Sequence, residues 1–78
     1  DQDLIYVKQC DDAESGTIAV ILIANTEVTI KRVIKKDHLL ILEAANPAVP
    51  ARYFTYEEVQ ELPVKIIGKV LYSRSDIA

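Results

Sequence analysis

Residues 27–36, EVTIKRVIKK, alternate as a β-strand does: Val28, Ile30 and Ile34 fall on one face and Thr29, Lys31 and Val33 on the other. Lys31 and Arg32 therefore point to opposite faces, and one of the two cations lands on the side that packs against the core, where an unpaired charge is costly. Before this strand, TIAVILIA at residues 17–24 is apolar on both faces, the pattern of a strand in the middle of a packed β structure. The tight link through Asn25 and Thr26 predicts that the two form a hairpin. Leu4 to Gln9 reads as a short strand, residues 11–16 as a polar turn ending in Gly16, Lys35 to His38 as a second turn and His38 to Glu43 as another strand. Ala44 to Arg52 carries Pro47 and Pro50, which excludes regular helix and central strand.

Thr55-Tyr56-Glu57-Glu58 matches a capping box, with Thr55 as N-cap and Glu58 reaching back, and Pro63 ends the one or two helical turns that follow. Val64 to Ser73 closes the chain as a strand in which Gly68 marks a bulge or a close backbone approach. The pattern predicts a mostly β domain, curved and antiparallel, with at most one short helix.

Composition narrows the function more than the fold. Seventy-eight residues, half of them hydrophobic, make one globular domain that buries only roughly 60–65 % of its unfolded surface, so its stability is marginal. The net charge of −3 argues against gripping a phosphate backbone, and a nucleic-acid-binding small barrel ranks last among the readings. A single cysteine, Cys10, forms no internal disulfide and reads as a packed small hydrophobe in a cytoplasmic protein. The longest apolar run, Ile18 to Ala24, falls far short of a membrane span, and no signal peptide is expected from the pattern. With no methionine in the chain, we expect a piece of something longer.

Most candidate chemistry has a plain structural reading. One histidine and one cysteine do not make a metal site, and neither metal nor cofactor is expected. Ser15, Ser73 or Ser75 with His38 is the only material for a Ser/His/Asp triad, all of it in turns or at the terminus. Asp11, Asp12 and Glu14 read as a solvated turn, Glu57, Glu58 and Glu61 as a solvated helical face, and Tyr53, Phe54 and Tyr56 as core and rim. Lys31 has two readings. On a wet sheet face its stem covers apolar neighbours while the ammonium stays in water; on the inner face it is a desolvated lysine able to take a proton from a nucleophile.

At Glu27-Val28-Thr29-Ile30-Lys31-Arg32 the chain resembles the C-terminal domain of LexA-type repressors, the family that includes UmuD and the self-cleaving prophage repressors. The resemblance runs from about Asp3 to Tyr72. It also rests on Asp3-Leu4-Ile5-Tyr6-Val7, on Ser15-Gly16 before an apolar strand, on Asn46-Pro47 after a strand ending in Leu42, and on Ile66-Ile67-Gly68-Lys69-Val70. It implies the LexA-like, signal-peptidase-like β fold and a Ser/Lys dyad, with Lys31 at the position of the general base; Thr29, two residues away on the same strand face, is expected to hydrogen-bond the amine. The family's serine belongs to a Gly-x-Ser-Met type segment before the first strand, and it is missing from this chain. Gln2, Thr17 and Ala44 also depart from the family's usual residues.

Three readings follow. In the first, the chain is a partial self-cleaving domain, residues 1–78, of a repressor in the DNA-damage (SOS) response. The resemblance then implies a homodimer, cleavage promoted by a RecA filament and operator DNA held by an N-terminal domain. The second is a catalytically inactive dimerisation module, with Ile66 and Ile67 of an edge-pairing segment 64–70 at the twofold contact. The third, bacterial signal peptidase, shares the dyad, but Lys35-Lys36-Asp37-His38 stands where that family has a Gly-x-Pro-Gly-Asp type segment.

Overall fold

A computed structural model describes residues 4–74. They form a six-stranded antiparallel sheet in the order β1-β6-β2-β3-β4-β5, where β1 is Leu4–Gln9, β2 Ile18–Ile23, β3 Glu27–Lys36, β4 Leu39–Glu43, β5 Arg52–Thr55 and β6 Val64–Arg74. Helix α1, Tyr56–Glu61, links β5 to β6. Its capping box is formed as expected: the Glu58 amide donates to Thr55 Oγ1 at 3.1 Å, and the Thr55 amide donates to Glu58 Oε1 at 2.9 Å.

Two hairpins register the middle of the sheet. Between β2 and β3 the chain reverses over Ala24 and Asn25, both with positive φ (53° and 60°), closed by the Thr26 amide donating to the Ile23 carbonyl at 3.1 Å. With Ile23 opposite Glu27, three residues connect the strands, and the left-handed pair forms the tight turn at their start, one residue earlier than the pattern suggested. Between β3 and β4 only Asp37 and His38 turn the chain, with Asp37 at φ 55°. Lys35 and Lys36, read as turn residues from sequence, stay in the ladder opposite Leu40 and Leu39.

One face of this curved sheet is the core. Ala19, Ile21 and Ile23 of β2, Val33 of β3, Leu40 and Leu42 of β4, Phe54 of β5 and Val64 of β6 are buried there, together with Ala13 from the β1–β2 connection. Val59 of α1 and Ile66 of β6 pack against them. The largest fully buried side chains, Ile21, Leu42 and Val33, each contribute about 1.5–3 kcal/mol of transfer free energy. On the opposite face Ile18, Val28, Ile30 and Tyr53 stay well exposed.

Two expectations are corrected. Strand β5 was not anticipated. It is short and lies at the sheet edge, where Pro50 just before it removes no ladder bond. The edge position expected of residues 64–70 is corrected in part, because β6 lies between β1 and β2, with residues 64–69 laddered to β2 and residues 68–74 to β1. The edges are β1 and β5. Within β6, Ile66 packs on the core and Ile67 is partly exposed.

Gly68 meets both roles anticipated for it. The register against β2 shifts at this point, with Val20 opposite Gly68 and Ile21 opposite Ile66. A Cβ at Gly68 would also lie 2.8 Å from Val7 Cγ1 and 3.3 Å from the Lys8 carbonyl oxygen. Gly68→Ala is expected to destabilise the domain by about 1–2 kcal/mol through overpacking. Adding Val7→Ala should recover part of that loss in a double-mutant cycle of urea midpoints, since it removes the nearest clashing atom. Strictly additive effects would show that Val7 is not the obstacle.

Candidate active site

The middle of β3 places Lys31. Lys31 stands opposite Ala19 and Thr29 opposite Ile21, and both partners are fully buried on the core face, so the two polar side chains share that face. Lys31 is half-buried, and its Nζ donates a hydrogen bond to Thr29 Oγ1 at 2.9 Å. Residues two apart on a strand lie about 6.6 Å from each other on one face, within reach of a lysine stem folding back along the strand. Ala19 across the ladder leaves the amine room that a larger side chain would fill.

Arg32 takes the opposite face and is satisfied there. Its Nη1 donates to the Gly16 carbonyl at 2.8 Å, and its Nε lies 3.9 Å from Glu43 Oε1, the cross-strand neighbour. Of the two adjacent cations, then, the outer one meets a carbonyl and a carboxylate. The inner one meets a hydroxyl, with no carboxylate in ion-pair distance among the described residues. A primary amine so placed can relay a proton to and from a nucleophile brought against the core face.

Of the other sequence candidates, Ser15 and His38 make structural contacts. Ser15 Oγ accepts from the Lys35 amide at 2.9 Å, and His38 meets Tyr56 edge-on at 6.0 Å between ring centroids. Ser73 falls in β6 across from Ile5, and Ser75 lies outside the described residues. Asp12 Oδ1 accepts from Lys35 Nζ and from the Ala13 amide, both at 2.8 Å, which ties the β1–β2 connection to the end of β3. The Lys35 hydrogen bond, then the Ala13 amide and the Lys35 charge hold the Asp12 carboxyl below its ordinary value of 3.8. A carboxyl lowered on folding stabilises the fold at neutral pH, and that support disappears as the pH falls through its folded value. Among the described residues no three of His, Cys, Asp and Glu converge as metal ligands, and no helix is long and apolar enough to cross a membrane.

Sequence reasoning did not foresee a groove of about 910 Å³ between residues 9–12 and α1, with Lys35, Leu40, Val64 and Ile66 among its lining residues. Its walls come from segments that meet only through long-range pairing, so no local pattern marks it. Lys31 does not line it.

Comparison with known proteins places this geometry. Residues 1–71 match the family described as peptidase S24-like. Among curated relatives, the LexA repressor of Ruegeria sp. (strain TM1040) is 38% identical over 60 residues, which is 77% of this chain and 25% of the relative. The LexA repressor of Paramagnetospirillum magneticum is 42% identical over 60 residues, 77% of the chain and 26% of the relative. That of Rhodospirillum rubrum is 40% identical over 68 residues, 87% of the chain and 27% of the relative. The chain thus spans about a quarter of the length of the curated relatives it matches. With nearly its whole length matched and its mostly antiparallel β architecture agreeing, the chain belongs to the peptidase S24-like family and is homologous to part of the LexA repressors.

Proposed function

We propose that this chain is the lysine-bearing part of the self-cleaving domain of a LexA-type repressor, and that Lys31 is the general base of its Ser/Lys dyad. The observation that carries the reading is the Lys31 amine on the core face of β3, held by Thr29 with no carboxylate partner among the described residues. The nucleophile is a serine of the family's Gly-x-Ser-Met type segment, N-terminal to β1. The neutral Lys31 amine takes the serine hydroxyl proton as Oγ attacks the carbonyl carbon of the cleaved bond. The resulting ammonium returns that proton to the departing amine nitrogen as the tetrahedral intermediate collapses. Water then releases the acyl group and restores the serine.

In the cell, cleavage separates an N-terminal DNA-binding domain from the dimerising C-terminal domain. Operator affinity falls because a dimer engages two half-sites and a lone domain one. A RecA filament promotes the reaction in the cytoplasmic DNA-damage response. Dimer contact at this part of the chain uses the exposed side chain of Ile67, with Ile66 supporting it from the core.

The test is an intact-mass time course of the full-length protein, wild type beside Lys31→Ala, at neutral and alkaline pH. Two fragments should accumulate, faster at alkaline pH and only when Lys31 is present. If the wild type stays whole even with activated RecA, the domain is a dimerisation module and the peptidase reading falls. Thr29→Val keeps the side-chain shape and removes the hydroxyl, so cleavage should slow roughly five- to tenfold, the worth of about 1 kcal/mol of hydrogen bonding. An unchanged rate would remove Thr29 from the site.

A further inference from the structure

Lys31 is one end of a row. Across β2 from Lys31 stands Ala19, across from Ala19 on β6 stands Lys69, and across from Lys69 on β1 stands Lys8. Directly opposed residues of antiparallel strands project from the same face, so Lys31, Ala19, Lys69 and Lys8 run side by side over four adjacent strands on the core side of the sheet. With strands about 4.8 Å apart, Lys69 is rooted roughly 10 Å and Lys8 roughly 15 Å from Lys31. The one residue between the lysines is an alanine, fully buried.

This arrangement works against the isolated fold. Like charges directly opposite in a ladder are destabilising, and Lys8 and Lys69 are such a pair. Neither has an ion pair among the described residues, whereas Arg32, Lys35 and Arg52 are matched with Glu43, Asp12 and Glu27. A row of three cations with no carboxylate paired to it among the described residues, in a chain of net charge −3, is complementary to an anionic ligand laid across it. The acidic balance of the whole chain disfavours a polyanion such as nucleic acid, which would meet the repulsion of the entire surface. One or two carboxylates on a slim chain meet only the row.

We propose that Lys69 and Lys8 form a docking track for a carboxylate-bearing stretch of polypeptide, the stretch whose neighbouring peptide bond is presented to Lys31. The presentation step rests on the general-base reading above; the docking step does not. At about 3.3 Å per extended residue, the distances of roughly 10–15 Å place the acidic residues roughly three to five positions from the cleaved bond.

The first arm of the test measures self-cleavage of the full-length protein for wild type, Lys69→Gln, Lys69→Arg and Lys8→Gln at low and high ionic strength. Urea midpoints confirm that each variant is folded. Both glutamine variants should cleave about five- to tenfold more slowly at low salt, and Lys69→Arg should cleave at close to the wild-type rate. High salt should slow the wild type toward the glutamine variants and barely affect them, because it screens the attraction they have already lost. Equal, salt-insensitive rates in all four, with cleavage still dependent on Lys31, would overturn the track and leave the dyad standing. The second arm titrates a labelled oligo-glutamate peptide into the full-length protein, with oligo-lysine as control, and needs no cleavage at all. Salt-sensitive binding weakened by Lys69→Gln and Lys8→Gln supports the track even if the dyad reading fails, and absence of binding to the wild type overturns it.

Discussion

Lys31→Arg is expected to stop self-cleavage of the full-length protein as completely as Lys31→Ala does. The two substitutions separate roles that alanine alone confounds. Arginine keeps a long stem along the core face and a positive charge at its end, but its guanidinium is not deprotonated in proteins, so it cannot accept a proton from a serine. If Lys31 serves as the base, the loss should be two to four orders of magnitude in rate, the range over which a positioned general base acts. If it serves only as a cation, to hold a carboxylate or to complete the row with Lys69 and Lys8, arginine should preserve most of the rate. Fragment masses over several wild-type half-lives decide between the two. Unfolding of the arginine variant at close to the wild-type urea midpoint would show that the loss is chemical and not structural.

How far this site was legible in the sequence depends on which step of the argument is considered. Period-two alternation is local, and it delimited residues 27–36 as a strand and set Lys31 and Arg32 on opposite faces. Which face is inner was not local. By hydrophobicity the face with Val28, Ile30 and Ile34 outranks the face with Thr29, Lys31 and Val33, yet Val28 and Ile30 are exposed and Val33 is fully buried. The choice is made by the register with β2, whose two faces are almost equally apolar, and by the crossing of α1 and the β1–β2 connection over one of them. Family resemblance placed Lys31 inward where the pattern was silent.

The misses share that cause. The end of a chain is easily taken for the edge of a sheet, and only the pairing of β6 with both β1 and β2 shows otherwise. Strand β5 is four residues long with alternation too brief to register. The lysine row joins residues 8, 31 and 69 through three separate ladders, a coincidence that no window of sequence contains.

Because everything said of Lys31 depends on that choice of inner face, the second large effect is expected from a pair of isoleucines on opposite faces of the same hairpin. Ile21 is fully buried, opposite Thr29 on one side and Ile66 on the other, whereas Ile30 on β3 remains 46% exposed. Ile21→Ala removes buried methyl groups and leaves a cavity, for a loss of about 2–5 kcal/mol. Ile30→Ala should cost less than about 1 kcal/mol. For a 78-residue domain, total stability is roughly 4–12 kcal/mol, so the first change consumes a large part of it and the second is tolerated. In thermal terms each kcal/mol is worth roughly 4–8 °C at this size, which puts the two variants well apart in a melting experiment. The order of the two losses reports the orientation of the β2–β3 hairpin, and with it the side from which the Lys31 amine projects. Were Ile30→Ala the more damaging change, the hairpin would be turned over. Arg32 would then occupy the core face, and the assignment of Lys31 as a base would lose its structural ground.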